Sequence, residues 1–546
     1  MSSAKPSKIL HLDIFSPSPY TFDVMQNVAE PPAITSENIP KTAGMTTKVV
    51  KGSLWTLAGQ IAPLAVSLVA TPFTIRLLGA DGYGVLILVG LIPTYLGFAD
   101  LGMGIASTKF GSEAYAAGDA EKEARTVRTA AVLSLALSVP FAILIFALSG
   151  WLATLFNVPE HLHAEASLAL KVAAFTFVLN FLNSIFNTPQ LDRLRMDLNT
   201  FVTSGFRILG IAATPFVIYL GGGILGAVLV LCTGTFLTLV GHIYTSGRLL
   251  PRLYGLTFDR ALFRPMAKFG GALAFVAVAG ILLVHSEKLF LARLTSVEAL
   301  AFYSVAFTFA NMVTQFFVSL IQSLLPAFSQ LSHPERRVQF NQLFERIIRL
   351  NALIMFPALG LLCILAKPFF SIWAGPDFGR ESTVPFYLLC FGLMFNLVAN
   401  IPYCAITALG RTDILAKAYW IQLIPYLFIV YFLVANFGIY GAAGAWSIRM
   451  ILDAMMLAVI AKRVLRVSFG TKAQIRKLLL SGVILSIILT IAVVSHGDPI
   501  RVTLAGSIGI LLFVVLAWRH LLEQAEKTWL LSQLAPLGSG IFRTRH

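Results

Sequence analysis

The side chains of this chain best suited to chemistry are charges and amides set inside long apolar runs. Arg207, Arg449, Asp453 and Asp100 lie in stretches otherwise built of Leu, Val, Ile, Phe and Ala, where an ionised group costs about 2.5 to 3.5 kcal/mol on insertion scales. A planar guanidinium can hold an oxyanion through two parallel hydrogen bonds, most strongly in a cavity shielded from bulk water. That makes Arg207 a candidate contact for an anionic group, against the alternative that it snorkels to a membrane edge from early in its span. Arg449 and Asp453 are spaced i, i+4, so the sequence predicts an ion pair on one helical face. Asp100 sits near the end of its span, where it could cap, pair with Lys109, or bind a coupling cation.

Amides recur with helical spacing. Asn180, Asn183, Ser184 and Asn187 follow the i, i+3, i+4, i+7 rule, and Asn311, Gln315, Ser319 and Gln322 form a second stripe. Asn396 and Asn400 occupy places equivalent to Asn180 and Ser184. Such groups can line a hydrated cavity, and they also serve as hydrogen-bonding glue between neighbouring spans. His285, Glu287 and Lys288 fall near the end of the seventh apolar run. They read as an outer gate or as a marker of the membrane edge, with His285 a further candidate proton carrier.

These residues need elements that hold them at membrane depth, and composition supplies them. Of 546 residues 57% are hydrophobic and 12% charged, and the mean hydropathy is +0.80, which is a polytopic membrane composition rather than a soluble core. Apolar runs of spanning length extend from Gly52 to Ile75, Gly84 to Ser107, Thr129 to Gly150, Leu168 to Thr188, Thr200 to Leu220 and Ile224 to Thr245. A second six run from Phe269 to Leu291, Leu300 to Leu325, Ile347 to Ala366, Val384 to Leu409, Ile414 to Asn436 and Gly438 to Ala461. Two more, Leu478 to Val494 and Val502 to Trp518, give an all-α bundle of about fourteen spans.

The formal charge of +15 sits in short loops instead of one dense stripe, so it reads as topology and not as nucleic-acid binding. Bases cluster after the second, sixth, eighth and twelfth spans, while the connection from Asn157 to Ser167 holds no Lys or Arg. By the positive-inside rule both termini are expected in the cytoplasm. Cys232, Cys363, Cys390 and Cys404 lie in apolar runs without metal-ligand spacing, so neither disulfide nor metal is expected.

Polar signatures repeat at a spacing of 215 to 217 residues. Arg195-Met196-Asp197 matches Arg411-Thr412-Asp413, Gly223-Ile224-Leu225-Gly226 matches Gly438-Ile439-Tyr440-Gly441, and Arg76 matches Arg293. Six spans per copy give both copies the same polarity, related by an axis along the membrane normal, with a cavity between two lobes. The expected division is a disordered tail at 1–47, a lobe at 48–246, a linker at 247–268, a second lobe at 269–461, two further helices at 462–519 and a tail at 520–546.

The chain resembles the oligosaccharide flippases of the MOP superfamily, which also holds MATE drug exporters. The resemblance rests on Arg76-Leu77-Leu78-Gly79 with Tyr83-Gly84, on Asp100-Leu101-Gly102, on His285-Ser286-Glu287-Lys288 before Tyr303-Ser304, and on Leu409-Gly410-Arg411. Members more often carry Asp where Glu287 stands. The resemblance implies export of a polyprenyl-diphosphate-linked oligosaccharide from the inner to the outer leaflet of the cell's inner membrane by alternating access. Membrane lipids and a polysaccharide polymerase complex are the partners it brings into view. An enzyme is not expected: the largest external connection, Lys367 to Thr383, offers only Asp377 and Glu381, and no GxxxxGK[ST] phosphate loop or cofactor motif occurs. A cation-coupled exporter of small drugs on the same fold is the alternative.

Overall fold

A computed structural model describes residues 42–255, 257–322, 324–331, 334–465 and 498–516, with isolated positions between 487 and 527. The described residues form helices and no strand. In chain order they are α1 (Thr42–Tyr95), α2 (Met103–Ala116), α3 (Ala120–Leu155), α4 (Glu160–Phe186), the short α5 (Thr188–Asp192), α6 (Met196–Val217) and α7 (Gly223–Leu249). The second half comprises α8 (Arg260–Leu294), α9 (Val297–Gln322), α10 (Leu325–Gln330), α11 (Arg337–Trp373), α12 (Pro376–Glu381), α13 (Thr383–Ala408), α14 (Thr412–Ile460) and, last, α15 (Pro499–Leu516). The expected thirteenth span, Leu478 to Val494, falls almost wholly outside the described residues, so the count of fourteen is not established. The first helix reaches back to Thr42, into the segment expected as tail.

Among the described residues nine helical stretches are long and apolar enough to cross a membrane. Three of them reverse direction inside. The reversals fall at Gly79 (φ 71°), at Gly221 and Gly223 (φ 90° and 59°) and at Gly438 (φ 53°), left-handed conformations that cost any residue with a Cβ about 1 to 2 kcal/mol. The second expected span departs from its prediction. Helix α1 stops at Tyr95, a series of tight turns runs over 96–102, and α2 resumes at Met103. Pro93 withholds an amide from the ladder, and the consecutive left-handed residues Leu101 (φ 49°) and Gly102 (φ 67°) prevent the helix from continuing.

The internal repeat is visible in local geometry. Arg195 and Asp197 pair at 3.0 Å at the start of α6, and Arg411 and Asp413 pair at 3.5 Å at the start of α14. Leu194 and Gly410, just before, are both left-handed, at φ 55° and 71°. Within the first half α3 packs on α4, α1 on α6, and α7 on both α4 and α6; within the second, α14 packs on α13 and α8, and α13 on α9 and α11.

The halves meet where α1 crosses α9 and where α2 crosses α8. At the end carrying the Gly79 and Gly438 reversals, hydrogen bonds to main-chain carbonyls join them: Arg76 Nη2 to Ile372 at 2.7 Å, Trp373 Nε1 to Leu68 at 2.8 Å, and Asn157 Nδ2 to Arg293 at 2.8 Å. Gly84 lies directly against the Val297 carbonyl, leaving no room for a Cβ. At the opposite end Gly102 meets Gly270, and the Lys109 ammonium stands 4.3 Å over the Phe269 ring.

Candidate functional site

Each half holds a polar cavity, and equivalent positions of the repeat line both. The first, about 430 Å³, lies among α4, α6 and α7 and is lined by Asn180, Asn183, Ser184, Asn187, Thr203, Arg207, Thr235, Thr238 and His242, with Phe206, Gly210, Leu231 and Gly234. The second, about 480 Å³, lies among α8, α9, α13 and α14 and takes in Gln315, Asn396, Asn400, Tyr403, Tyr419, Arg449 and Asp453. Helical spacing explains the convergence, since residues four apart on α4, and on α13, turn to the same side. Asn180, Asn183, Ser184 and Asn187 of α4 thus face the first cavity, while of the second stripe Gln315 faces the second cavity together with Asn396 and Asn400 of α13.

Arg207 is exposed in the first cavity and makes no ion pair among the described residues. Asn183 donates Nδ2 to the Thr235 carbonyl at 3.2 Å, which leaves its Oδ1 buried and unpartnered; Asn187 Oδ1 is in the same condition. Buried polar atoms are normally satisfied, so the unpaired amide oxygens beside a cation stand out in this cavity wall. His242, buried at the cavity wall, accepts from Gln190 Nε2 at 3.1 Å through Nδ1 and lies 3.1 Å from Thr203 Oγ1 through Nε2. An apolar groove of about 470 Å³, with Val89, Pro93, Ala173, Phe177 and Val228 among its walls, shares Asn180 and Leu231 with this cavity. The polar cavity and the apolar groove are therefore neighbours in the first half.

Several predicted residues are placed differently. Arg449 and Asp453 both line the second cavity but form no ion pair with each other; Arg449 Nε and Asp453 Oδ1 are buried without partners, and the guanidinium lies 5.5 Å from the Tyr426 ring centroid. The i, i+4 spacing allows a contact that the cavity between the two side chains replaces. Glu287 and Lys288, near the end of their span, are buried. Helix α8 continues to Leu294, so both sit inside it, with exposures of 0% and 8%. Glu287 accepts from the Tyr303 hydroxyl at 3.3 Å and from the Tyr426 hydroxyl at 3.2 Å, and the Lys288 ammonium lies 3.9 Å over the Phe307 ring. His285 gives its carbonyl to the Tyr95 hydroxyl across the halves.

Asp100 lies in neither cavity. It occupies the break before α2, where Oδ1 accepts the Gly102 amide at 2.9 Å, the capping role among its alternatives; Lys109 turns to Phe269 instead. Asn311 is exposed on α9 and lines neither cavity, while the side chains of Ser319 and Gln322 fall outside the described residues. Thr203, His242, Tyr403 and Tyr419 line the cavities although their sequence context does not single them out. The repeat offset carries a signal for His242 and Thr238, because Gly234, Thr238 and His242 correspond to Arg449, Asp453 and Leu457. Glu123, 1% exposed at the base of α3, is another buried charge that reads as an ordinary loop residue in the sequence; Arg193 binds both its oxygens and lies 4.6 Å from the Tyr115 ring centroid.

Comparison with known proteins fixes the family to which this geometry belongs. Residues 75–380, more than half of the chain, match the profile of the family described as "Polysaccharide biosynthesis protein". The chain belongs to that family. A Shigella flexneri protein named as an O-antigen transporter is 25% identical over 415 residues, covering 75% of this chain and 96% of its own length. The uncharacterised membrane protein EpsK of Bacillus subtilis is 21% identical over 343 residues, 61% of this chain and 66% of EpsK. Among solved structures, the lipid II flippase MurJ in an inward closed conformation superposes with a TM-score of 0.63 at 15% identity, over 86% of this chain and 99% of MurJ. An inward-facing multidrug resistance MATE transporter gives 0.59 at 13% identity, over 74% and 99%. This member of the polysaccharide biosynthesis family therefore has the all-helical fold shared by MurJ and the MATE transporter, and those two and the Shigella relative are named as a flippase and transporters.

Proposed function

We propose that this protein is a flippase that carries a polyprenyl-diphosphate-linked oligosaccharide from the inner to the outer leaflet for surface polysaccharide synthesis. The observation that carries the reading is Arg207, a guanidinium without an ion-pair partner among the described residues, in an amide-lined cavity that shares its Asn180 and Leu231 wall with an apolar groove. The three parts of the substrate each find a matching medium: diphosphate at the cation, hydroxyls at Asn180, Asn183 and Asn187, and lipid at the apolar side. The two lobes lie within 48–246 and 269–461, and α7 and α8 extend into the segment 247–268 that joins them. Loop charge favours both termini in the cytoplasm, so the end bound by Arg76, Trp373 and Asn157 faces outward. A drug exporter on the same fold is the less favoured reading, because an organic cation would meet Arg207 in a cavity that, among the described residues, no carboxylate lines.

The test is export in cells whose own copy is replaced. Arg207→Ala is expected to lower surface polysaccharide by about tenfold or more, since it removes a bidentate charge-assisted interaction, and Arg207→Lys to restore only part of it. Wild-type export by Arg207→Ala, at equal protein in the membrane, would remove the cavity from the transport path.

A further inference from the structure

The two cavities share a lining plan but not a charge. Where the first has Gly234 and Thr238, the second has Arg449 and Asp453. Arg207 stands alone as a cation among the described residues that line the first. In the second, Asp453 is the one carboxylate among the described residues lining either cavity, and its Oδ1 has no partner although the residue is only 8% exposed. Arg449 Nε, on a residue 9% exposed, is likewise unpartnered. With Glu287 and Lys288 packed nearby, this region carries two formal negative and two formal positive charges. The first cavity is net cationic, and the second is neutral but holds an unpaired donor and an unpaired acceptor.

We propose that the cavities divide the substrate: the first holds the diphosphate-linked end, and the second reads the outer sugars, with Asp453 and Arg449 as its specificity-determining pair. The proposal rests on the flippase reading above and adds to it the polarity of the bound substrate. An ionised carboxylate with an oxygen free in a shielded cavity repels a diphosphate, and that repulsion grows as the local dielectric falls. The same oxygen is a good acceptor for a sugar hydroxyl. A neighbouring hydroxyl of the same sugar then accepts from Arg449 Nε, so two adjacent hydroxyls satisfy both orphaned atoms at once. Tyr403 and Tyr419 add ring surface for the C–H face of a pyranose and hydroxyls for its edge. The first cavity has no carboxylate among its described residues to oppose a diphosphate, since Thr238 holds the place of Asp453 and donates to the Gly234 carbonyl at 2.8 Å.

The test measures binding of two probes to purified protein in lipid nanodiscs: farnesyl diphosphate, which has no sugar, and the lipid-linked oligosaccharide extracted from cells lacking the protein. Asp453→Asn keeps side-chain shape and is expected to weaken the glycolipid by about tenfold or more without weakening farnesyl diphosphate. Tyr419→Phe, which removes a single hydroxyl, serves as the second variant and should shift the ratio of the two affinities in the same direction. Arg207→Ala should weaken both probes by a similar factor. If Asp453→Asn weakens farnesyl diphosphate as much as the glycolipid, or if Arg207→Ala spares farnesyl diphosphate, the division is wrong. Wild-type protein that binds neither probe would remove the flippase reading, and the division with it.

Discussion

Glu287 is a fully buried carboxylate of the second half, and truncating it gives a sharp test of how the fold tolerates charge at membrane depth. It accepts from Tyr303 at 3.3 Å and from Tyr426 at 3.2 Å. Hydrogen bonds to charged groups are worth about 1.5 to 3 kcal/mol each, and these distances lie beyond the usual range for hydroxyl donors, so the low end applies to both. Glu287→Ala therefore costs about 3 kcal/mol through these two hydrogen bonds, and leaving Lys288 without a neighbouring counter-charge raises the total to about 3 to 5 kcal/mol. Glu287→Gln retains an acceptor for at least one tyrosine and should cost about 1 to 2 kcal/mol. Denaturation of the purified protein in mixed micelles reads both values. A cycle with Tyr426→Phe adds a check, because that substitution should cost less in the Glu287→Ala background than in wild type. A loss under about 1 kcal/mol for Glu287→Ala would refute the reasoning and place water or lipid headgroups around this carboxylate.

Arg76→Ala combined with Trp373→Phe removes two of the side-chain-to-carbonyl hydrogen bonds that join the halves at the end proposed to face outward. A cysteine placed in the Asn180 cavity should then react faster with an impermeant thiol reagent added outside, by about fivefold for each kcal/mol that those bonds contribute to holding the end closed; unchanged labelling would show that they do not hold it. Gly84→Ala pushes a methyl into the Val297 carbonyl across the α1–α9 crossing, where only displacement of one helix relieves the clash. Export should fall at normal membrane insertion, and full export would mean that the crossing is looser than its close approach implies. Single cysteines near Arg260 and near Gly375 should label from opposite sides of intact cells, with Gly375 outside; labelling of both from one side contradicts the topology.

Much of the architecture was legible in the sequence because hydropathy at membrane depth is a strong constraint. The glycine reversals at Gly223 and Gly438 and the amide faces of α4 and α13 follow from spacing alone. The break at 96–102 was not legible, since Leu96, Phe98 and Leu101 keep the run apolar while backbone conformation ends the helix. The burial of Glu287 and Lys288 was not legible either, because a charged pair close to a span's end reads as solvated and the tyrosines that bind Glu287 come from other helices. The Arg449–Asp453 spacing permits an ion pair, but spacing says nothing about a cavity opening between the two side chains. His242 and Tyr419 escaped because each is ordinary in its own span. Their role emerges only when two or three helices bring them to one wall.

The central claim concerns which leaflet holds the substrate. In a deletion strain with no second flippase, lipid-linked oligosaccharide is to be quantified leaflet by leaflet in oriented membrane vesicles, with a glycan-binding protein that cannot cross the bilayer. A flippase predicts that the glycolipid stays in the cytoplasmic leaflet of the deletion strain, that wild-type protein restores it to the outer one, and that Arg207→Ala does so at about a tenth of the wild-type rate or less. Glycolipid in the outer leaflet of the deletion strain, together with raised accumulation of cationic drugs, would contradict it and favour the exporter.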